Sequence, residues 1–467
     1  WTPAGYYDAS INGHRRFGWQ INRGVRTLPD YYRAAQFRET LERPEIMRRL
    51  LQAGSLPRAM RQSLTGLAPP PGETAIVNQI RTQPVIRITQ PEHGKMIVGD
   101  SLTVRAEVET VSGTLLSAPK AFINGIPAVS MKVAGQSEAV QTYQWEFRLP
   151  STSELRLEVF AASEARSVAR ASRDLKQNVD DQLAADTSER PRPRLHVLAI
   201  GVGDYRDRQI QPLDFPARAT DVISSTMRQH AGELYEVTTD QLTDRDATGS
   251  LWRVYALAAA ERLSKTVGPD DLVVMYLCGH GLRDRRTNQW YFVTADAKYR
   301  DLMNDRYDDC LSLADLAVFS KLPCAKLAIL DSCHSGAVQT SMRPDDLKSV
   351  LRFLQDDIVL TWTASEGDQE AAERGESQLG RFTTHLNAAI TGAADSAGGN
   401  GDGIVSLSEA IEYVSRQVRD ESVSEGQPQH PTAGPSDLIQ FIDLPLAGKS
   451  KAAKVIPTAV ARKQIAE

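Results

Sequence analysis

The spacing of apolar and polar positions changes twice along the chain. Between residues 81 and 178 it has a period of two, as in Val85-Ile-Arg-Ile-Thr, Ser101-Leu-Thr-Val-Arg-Ala-Glu-Val, Tyr143-Gln-Trp-Glu-Phe-Arg-Leu and Leu155-Arg-Leu-Glu-Val-Phe. That period puts alternate side chains on one face of a strand. Turn formers, Pro91-Glu-His-Gly and Asn124-Gly, separate the runs. The stretch therefore predicts an all-β sandwich of immunoglobulin-like type, a spacer or partner-binding module. From Leu195 short, continuously apolar runs alternate with helical spacing, which predicts an α/β domain: a mostly parallel sheet flanked by helices, over 195–447. Its strands are read at Leu195-His-Val-Leu-Ala-Ile-Gly, Asp271-Leu-Val-Val-Met-Tyr-Leu-Cys-Gly-His280, Lys326-Leu-Ala-Ile-Leu-Asp-Ser-Cys333 and Asp357-Ile-Val-Leu-Thr-Trp-Thr-Ala. A helix is expected from Ala219 to Leu234, and a second with Leu251, Val254 and Ala258 as its apolar stripe.

Residues 1–80 follow neither pattern. Aromatics mix with arginine in Trp1-Thr-Pro-Ala-Gly-Tyr-Tyr, Phe17-Gly-Trp19 and Asp30-Tyr-Tyr-Arg, helical spacing runs from Arg48 to Leu67, and Pro69-Pro-Pro-Gly-Glu closes the segment as a linker. A charged stretch at 179–194 and a tail at 448–467 complete the division.

Composition narrows the class. An apolar fraction of 41% and a charged fraction of 24% are those of a globular chain. A net charge of −5 provides no basic field for nucleic acid. No apolar run has the length of a membrane span and no secretory leader pattern opens the chain, so neither nucleic acid nor membrane is an expected partner and the cytosol is the expected compartment. Cys278, Cys310, Cys324 and Cys333 lack both disulfide-scaffold density and zinc-ligand spacing. No metal or other cofactor is expected from them.

The chemistry gathers at two strand ends. In a parallel sheet all C-terminal strand ends lie on one edge, where ligands bind. His280 and Cys333 each close an apolar strand, with one crossover between them. An imidazole beside a thiol can take its proton and later deliver it to a leaving amine. The backbone N–H groups of Gly281 and Cys333 are candidate donors for the oxyanion of the intermediate, since glycine permits close approach.

Tyr276-Leu-Cys-Gly-His280-Gly281 and Leu330-Asp331-Ser332-Cys333-His334-Ser335-Gly336 resemble the paired signatures of the metacaspase type of caspase-like cysteine peptidase, a bacterial member being implied. Ala364-Ser365 and Gly380-Arg-Phe-Thr383 are similar to the pattern that accompanies the family's C-terminal half. The "WTP-GYY" segment at the N-terminus resembles the tail that follows a β-propeller in some bacterial relatives. The resemblance implies an endopeptidase with Cys333 as nucleophile and His280 as acid–base partner, its ring oriented by a backbone carbonyl. It further implies protein or peptide substrates cut after Arg or Lys. Asp331 matches the acidic position of the specificity pocket, and Ser365 belongs with the same substrate-binding set. Asp221 is either a second pocket acid or an acid placed near a helix N-terminus.

Calcium is the open cofactor alternative. Asp305, Asp308 and Asp309 lie where some metacaspases bind it, and Asn400-Gly-Asp402-Gly403 to Glu409 reads either as half of an EF-hand loop or as a turn into a helix capped by Ser406 and Glu409. Arg343, Lys348 and Arg352, just after Cys333, are candidate self-cleavage positions. The alternative to an enzyme is a catalytically inactive caspase-like scaffold or interaction protein.

Overall fold

A computed structural model describes residues 2, 5–8, 17–21, 30–34, 44–63, 84–110, 115, 118–137, 140–162, 168–179, 192–283, 290–333, 360–364, 379–397, 399–424, 429–434 and 444–448. The chain divides into two compact units. The first takes Trp1–Ile123, Pro127–Leu149 and Ser153–Val179, and the second takes the rest.

Within the first unit the period-two runs become two antiparallel sheets with one shared core. The four-stranded sheet orders Val85–Gln90, Ser101–Glu109, Val140–Arg148 and Ser130–Gln136. The five-stranded sheet orders Met96–Val98, Val168–Asn178, Glu154–Ala162, Lys120–Ile123 and Ile126–Pro127, with one parallel pair at its Met96–Val98 edge. Alternation selects the inward face: Val104, Ala106, Val108, Tyr143, Trp145 and Phe147 from one sheet meet Ile123, Leu155, Leu157 and Val159 from the other. This is a β-sandwich. The segment before it holds a smaller cluster in which Tyr7, Phe17 and Trp19 pack with Ile46 and Ala59 around a hairpin, Gly18–Ile21 with Asp30–Arg33.

The second unit is the α/β domain that the apolar runs predict. Its strands are β1 (Arg194–Gly201), β2 (Glu236–Thr243), β3 (Leu272–Arg283), β4 (Trp290–Phe292), β5 (Leu311–Ser312), β6 (Ala325–Cys333), β7 (Leu360–Thr363) and β8 (Thr432–Gly434). The main sheet runs β2-β1-β3-β6-β7-β8, parallel throughout except for β8, while β4 extends β3 in antiparallel fashion. The helices used below are α1 (Pro216–His230), α2 (Gly249–Thr266), α3 (Arg381–Ala388) and α4 (Leu407–Ser424). Strands covered on both faces need no alternation, and in β3 every residue from Leu272 to Leu277 is buried.

Two helix expectations are corrected. In α2 the inward face is Trp252, Ala256, Ala259 and Leu263, whereas Leu251 and Val254 are 49% and 70% exposed and Ala258 is exposed as well. Both sets have helical spacing. Trp252 carries more apolar area than any residue of the other set, and its ring meets Phe319 at 6.3 Å, so burying it wins. Helix α1 starts at Pro216 rather than Ala219, with the proline in the first turn, where its missing N–H costs nothing.

Replacing Trp145, 1% exposed, with alanine is expected to destabilise the sandwich by about 3–5 kcal/mol. The same change at exposed Val254 is expected to stay within about 0.5 kcal/mol. Urea unfolding of each variant checks both.

Candidate active site

Strands β3 and β6 pair in parallel from Leu272↔Ala325 to His280↔Cys333. The two positions singled out in the sequence are therefore register partners on neighbouring strands, whose backbones run about 4.8 Å apart. Directly before His280 the backbone makes a bend that only glycine tolerates. Gly279 has φ of 153°, and a Cβ there would meet Phe292 Cζ and the Val202 carbonyl oxygen at 3.0 Å.

His280 is 4% exposed. Its Nε2 lies 2.8 Å from the Gln211 carbonyl oxygen. A carbonyl only accepts, so Nε2 carries the proton and Nδ1 of the neutral ring keeps its lone pair. The ring stacks on Tyr205 with centroids 5.2 Å apart and planes 12° from parallel. The His280 backbone N–H donates to the Tyr205 hydroxyl over 3.2 Å, and that hydroxyl donates to the Val202 carbonyl over 3.2 Å. Burial pushes the His280 pKa below the ordinary histidine value, partly opposed by the bond to Gln211. The imidazole is thus held flat and in one orientation, and burial disfavours its charged form.

Asp331 lies two residues before Cys333 on β6 and is 1% exposed. Its Oδ2 accepts from Thr383 Oγ1 at 2.5 Å and faces Tyr276 Oη at 3.5 Å. Its Oδ1 is buried with no hydrogen-bond partner among the described residues. Burial raises the carboxyl pKa to about 6, while the bonds from Thr383 and Tyr276 pull it down. Thr383 is held by α3, whose first residue, Arg381, is fully buried: its Nε meets Glu421 Oε1 and its Nη1 donates to Gln429 Oε1, each at 3.0 Å.

The remaining sequence candidates divide. Gly281 continues β3 beyond His280 as the register partner of Phe292. Asp221 is exposed on α1, while Ala219, Thr220 and Ile223 of that helix are buried. The early helix start places it in the second turn, beyond first-turn interaction with the dipole. Ser365, His334, Arg343, Lys348 and Arg352 lie outside the described residues, as does the side chain of Cys333. Tyr205, Gln211 and Tyr276 were missed as functional positions. Gln211 acts through its carbonyl, which no residue type reveals, and the two tyrosines read as core aromatics.

Cys278, Cys310 and Cys324 are buried and not disulfide-bonded, and burial pushes Cys310 and Cys324 up to about 12. Ser406 and Glu409 form a capping box: Ser406 Oγ accepts from the Glu409 N–H at 3.3 Å, and Glu409 Oε2 accepts from the Ser406 N–H at 3.0 Å. Among the described residues no group of His, Cys, Asp and Glu is arranged to hold a metal ion, and no helix is long and apolar enough to cross a membrane.

The Asp331 pKa yields a stability prediction. Its folded value exceeds the unfolded one, near 3.9, so the folded state holds the extra proton between the two values and loses stability as pH rises from about 4 to about 6. Two units correspond to roughly 3 kcal/mol. In the ligand-free protein, the stability of Asp331→Asn relative to wild type should rise by up to that amount across this window, as read by urea midpoints at a series of pH values.

No curated protein sequence matches the chain significantly. The solved structure of pro-sf-caspase-1 aligns with 54% of this chain and 96% of its own at 11% identity, with a TM-score of 0.34, and carries no weight for function at that level. The family model of the caspase domain, a peptidase family, matches residues 194–440, which spans all eight strands, β1 to β8, of the α/β sheet. With more than half its length matched, the chain belongs to the caspase-domain family.

Proposed function

We propose that the chain is a cysteine endopeptidase that cuts after Arg or Lys, with Cys333 as nucleophile and His280 as its acid–base partner. The register pairing of His280 with Cys333 at the C-terminal edge of a parallel sheet carries this reading. With Nε2 bonded to Gln211, the nitrogen left to take the thiol proton is Nδ1. The sulfur then attacks the scissile carbonyl carbon, and the N–H groups of Gly281 and Cys333 face the developing oxyanion. The carbon–nitrogen bond breaks as the imidazolium returns its proton to the departing amine. Water, deprotonated by the same ring, cleaves the thioester and releases the acid.

A basic residue on the acyl side suits Asp331. A buried carboxylate with one oxygen lacking a partner among the described residues is costly alone and is stabilised by a guanidinium or ammonium. Ser365 is placed in the same pocket by resemblance only.

Cys333→Ala and His280→Ala should each lower turnover of an Arg-terminated peptide amide roughly a thousandfold or more while the fold persists. Asp331→Asn should cost about 10- to 100-fold in kcat/KM on that peptide. Wild-type protein that is folded yet cleaves peptides after neither Arg nor Lys would favour the inactive-scaffold alternative, and preference for an acidic residue would reverse the assignment of the pocket.

A further inference from the structure

Three buried groups meet behind the end of β6. Tyr276 Oη lies 2.6 Å from Thr383 Oγ1, which lies 2.5 Å from Asp331 Oδ2. Each hydroxyl has one proton. An ionised carboxylate only accepts, so Thr383 donates to Oδ2 and must accept from Tyr276. Two other acceptors face the Tyr276 hydroxyl: Oδ2 at 3.5 Å, too long to compete, and the Cys278 sulfur, a weak acceptor, so the 2.6 Å bond to Thr383 wins. Tyr276 and Asp331 are fully or almost fully buried, as is Thr383.

The consequence is asymmetric. Every described bond to the carboxylate falls on one oxygen, while Oδ1 is equally sealed from solvent and lacks a partner among the described residues. An orphaned buried acceptor costs about 1–3 kcal/mol and demands a donor. Gly380 keeps the site tight, since a Cβ there would stand 3.1 Å from Phe215 and 3.7 Å from Oδ2.

We propose that Tyr276 and Thr383 are specificity-determining positioning residues: their hydroxyl relay occupies Asp331 Oδ2, fixes the carboxylate plane and leaves Oδ1 to the cationic side chain of the substrate. This rests on the reading of Asp331 as the pocket for Arg or Lys. Neither hydroxyl touches the scissile bond, so its removal acts on substrate binding and on discrimination, not on the sulfur.

The test compares an Arg peptide amide with its citrulline analogue, which keeps the shape and removes the charge. Wild type should favour Arg. In Thr383→Val, KM for the Arg peptide should rise about tenfold with kcat nearly unchanged, and the Arg-to-citrulline ratio should fall by the same factor. Thr383→Ser should restore both, and Tyr276→Phe should shift them in the same direction as Thr383→Val. The rate at which iodoacetamide labels Cys333 should be unaltered. A Thr383→Val or Tyr276→Phe protein that keeps the wild-type KM and ratio overturns the relay while leaving the basic pocket intact. If Thr383→Val fails to fold, Tyr276→Phe, nearly isosteric, decides alone. Wild-type protein that treats the two peptides alike overturns the pocket reading and the relay together.

Discussion

The parallel pairing of β3 with β6 is the constraint on which the site depends. Each strand has a buried apolar run, Leu272–Cys278 in β3 and Leu327–Leu330 in β6, so neither can slide or turn over without exposing a row of aliphatic side chains. That registry runs unbroken to the last pair, His280 with Cys333. A slip of one residue would send the two positions to opposite faces of the sheet. The precision at the edge is thus supplied by ordinary hydrophobic packing in the middle, by Val273, Met275 and Leu277 on one strand and Leu327, Ile329 and Leu330 on the other.

Burial at this edge also sets the electrostatics. His280 and Asp331 are both removed from water, and in each the charged form is disfavoured, which lowers the one pKa and raises the other. Among the described residues the groups that meet them are oriented dipoles: a carbonyl at Gln211 and a backbone N–H anchored on Tyr205 for the imidazole, and hydroxyls for the carboxylate. Full charge appears one layer back, where Arg381 pairs with Glu421, which also meets His385 at 2.7 Å. Through Gln429, which bonds both Arg381 and the Ala364 carbonyl, that layer joins α3 to the end of β7. Breaking a buried pair of this kind leaves an uncompensated charge, so the pair ties down the helix that presents Thr383.

Much of this was legible along the chain. Period two announced the sandwich, and the apolar runs announced the parallel sheet, because a strand covered on one face alternates and one covered on both does not. Gly-His280-Gly and Asp331-Ser-Cys333 follow apolar runs and mark where the parallel pairing of β3 with β6 ends, although β3 itself continues to Arg283 against β4. The stripe of α2 was misassigned because two faces had the same helical spacing, and only the competition for cover around Trp252 separates them. Asp221 falls in the second turn of α1, because Pro216, a first-turn residue, starts the helix earlier than its apolar spacing indicates.

Local sequence alone determined the apolar central strands, which residues can do nucleophilic and acid–base chemistry, and that both kinds end up on one sheet edge, since these follow from side-chain periodicity and chain direction. Tertiary structure decided the neighbours of those residues. That Nε2 rather than Nδ1 is held by a carbonyl, that Tyr205 supports the imidazole, and that Thr383, 52 residues away, reaches one oxygen of Asp331 are contacts between remote segments. They are made when the whole core packs, and no stretch of sequence contains them.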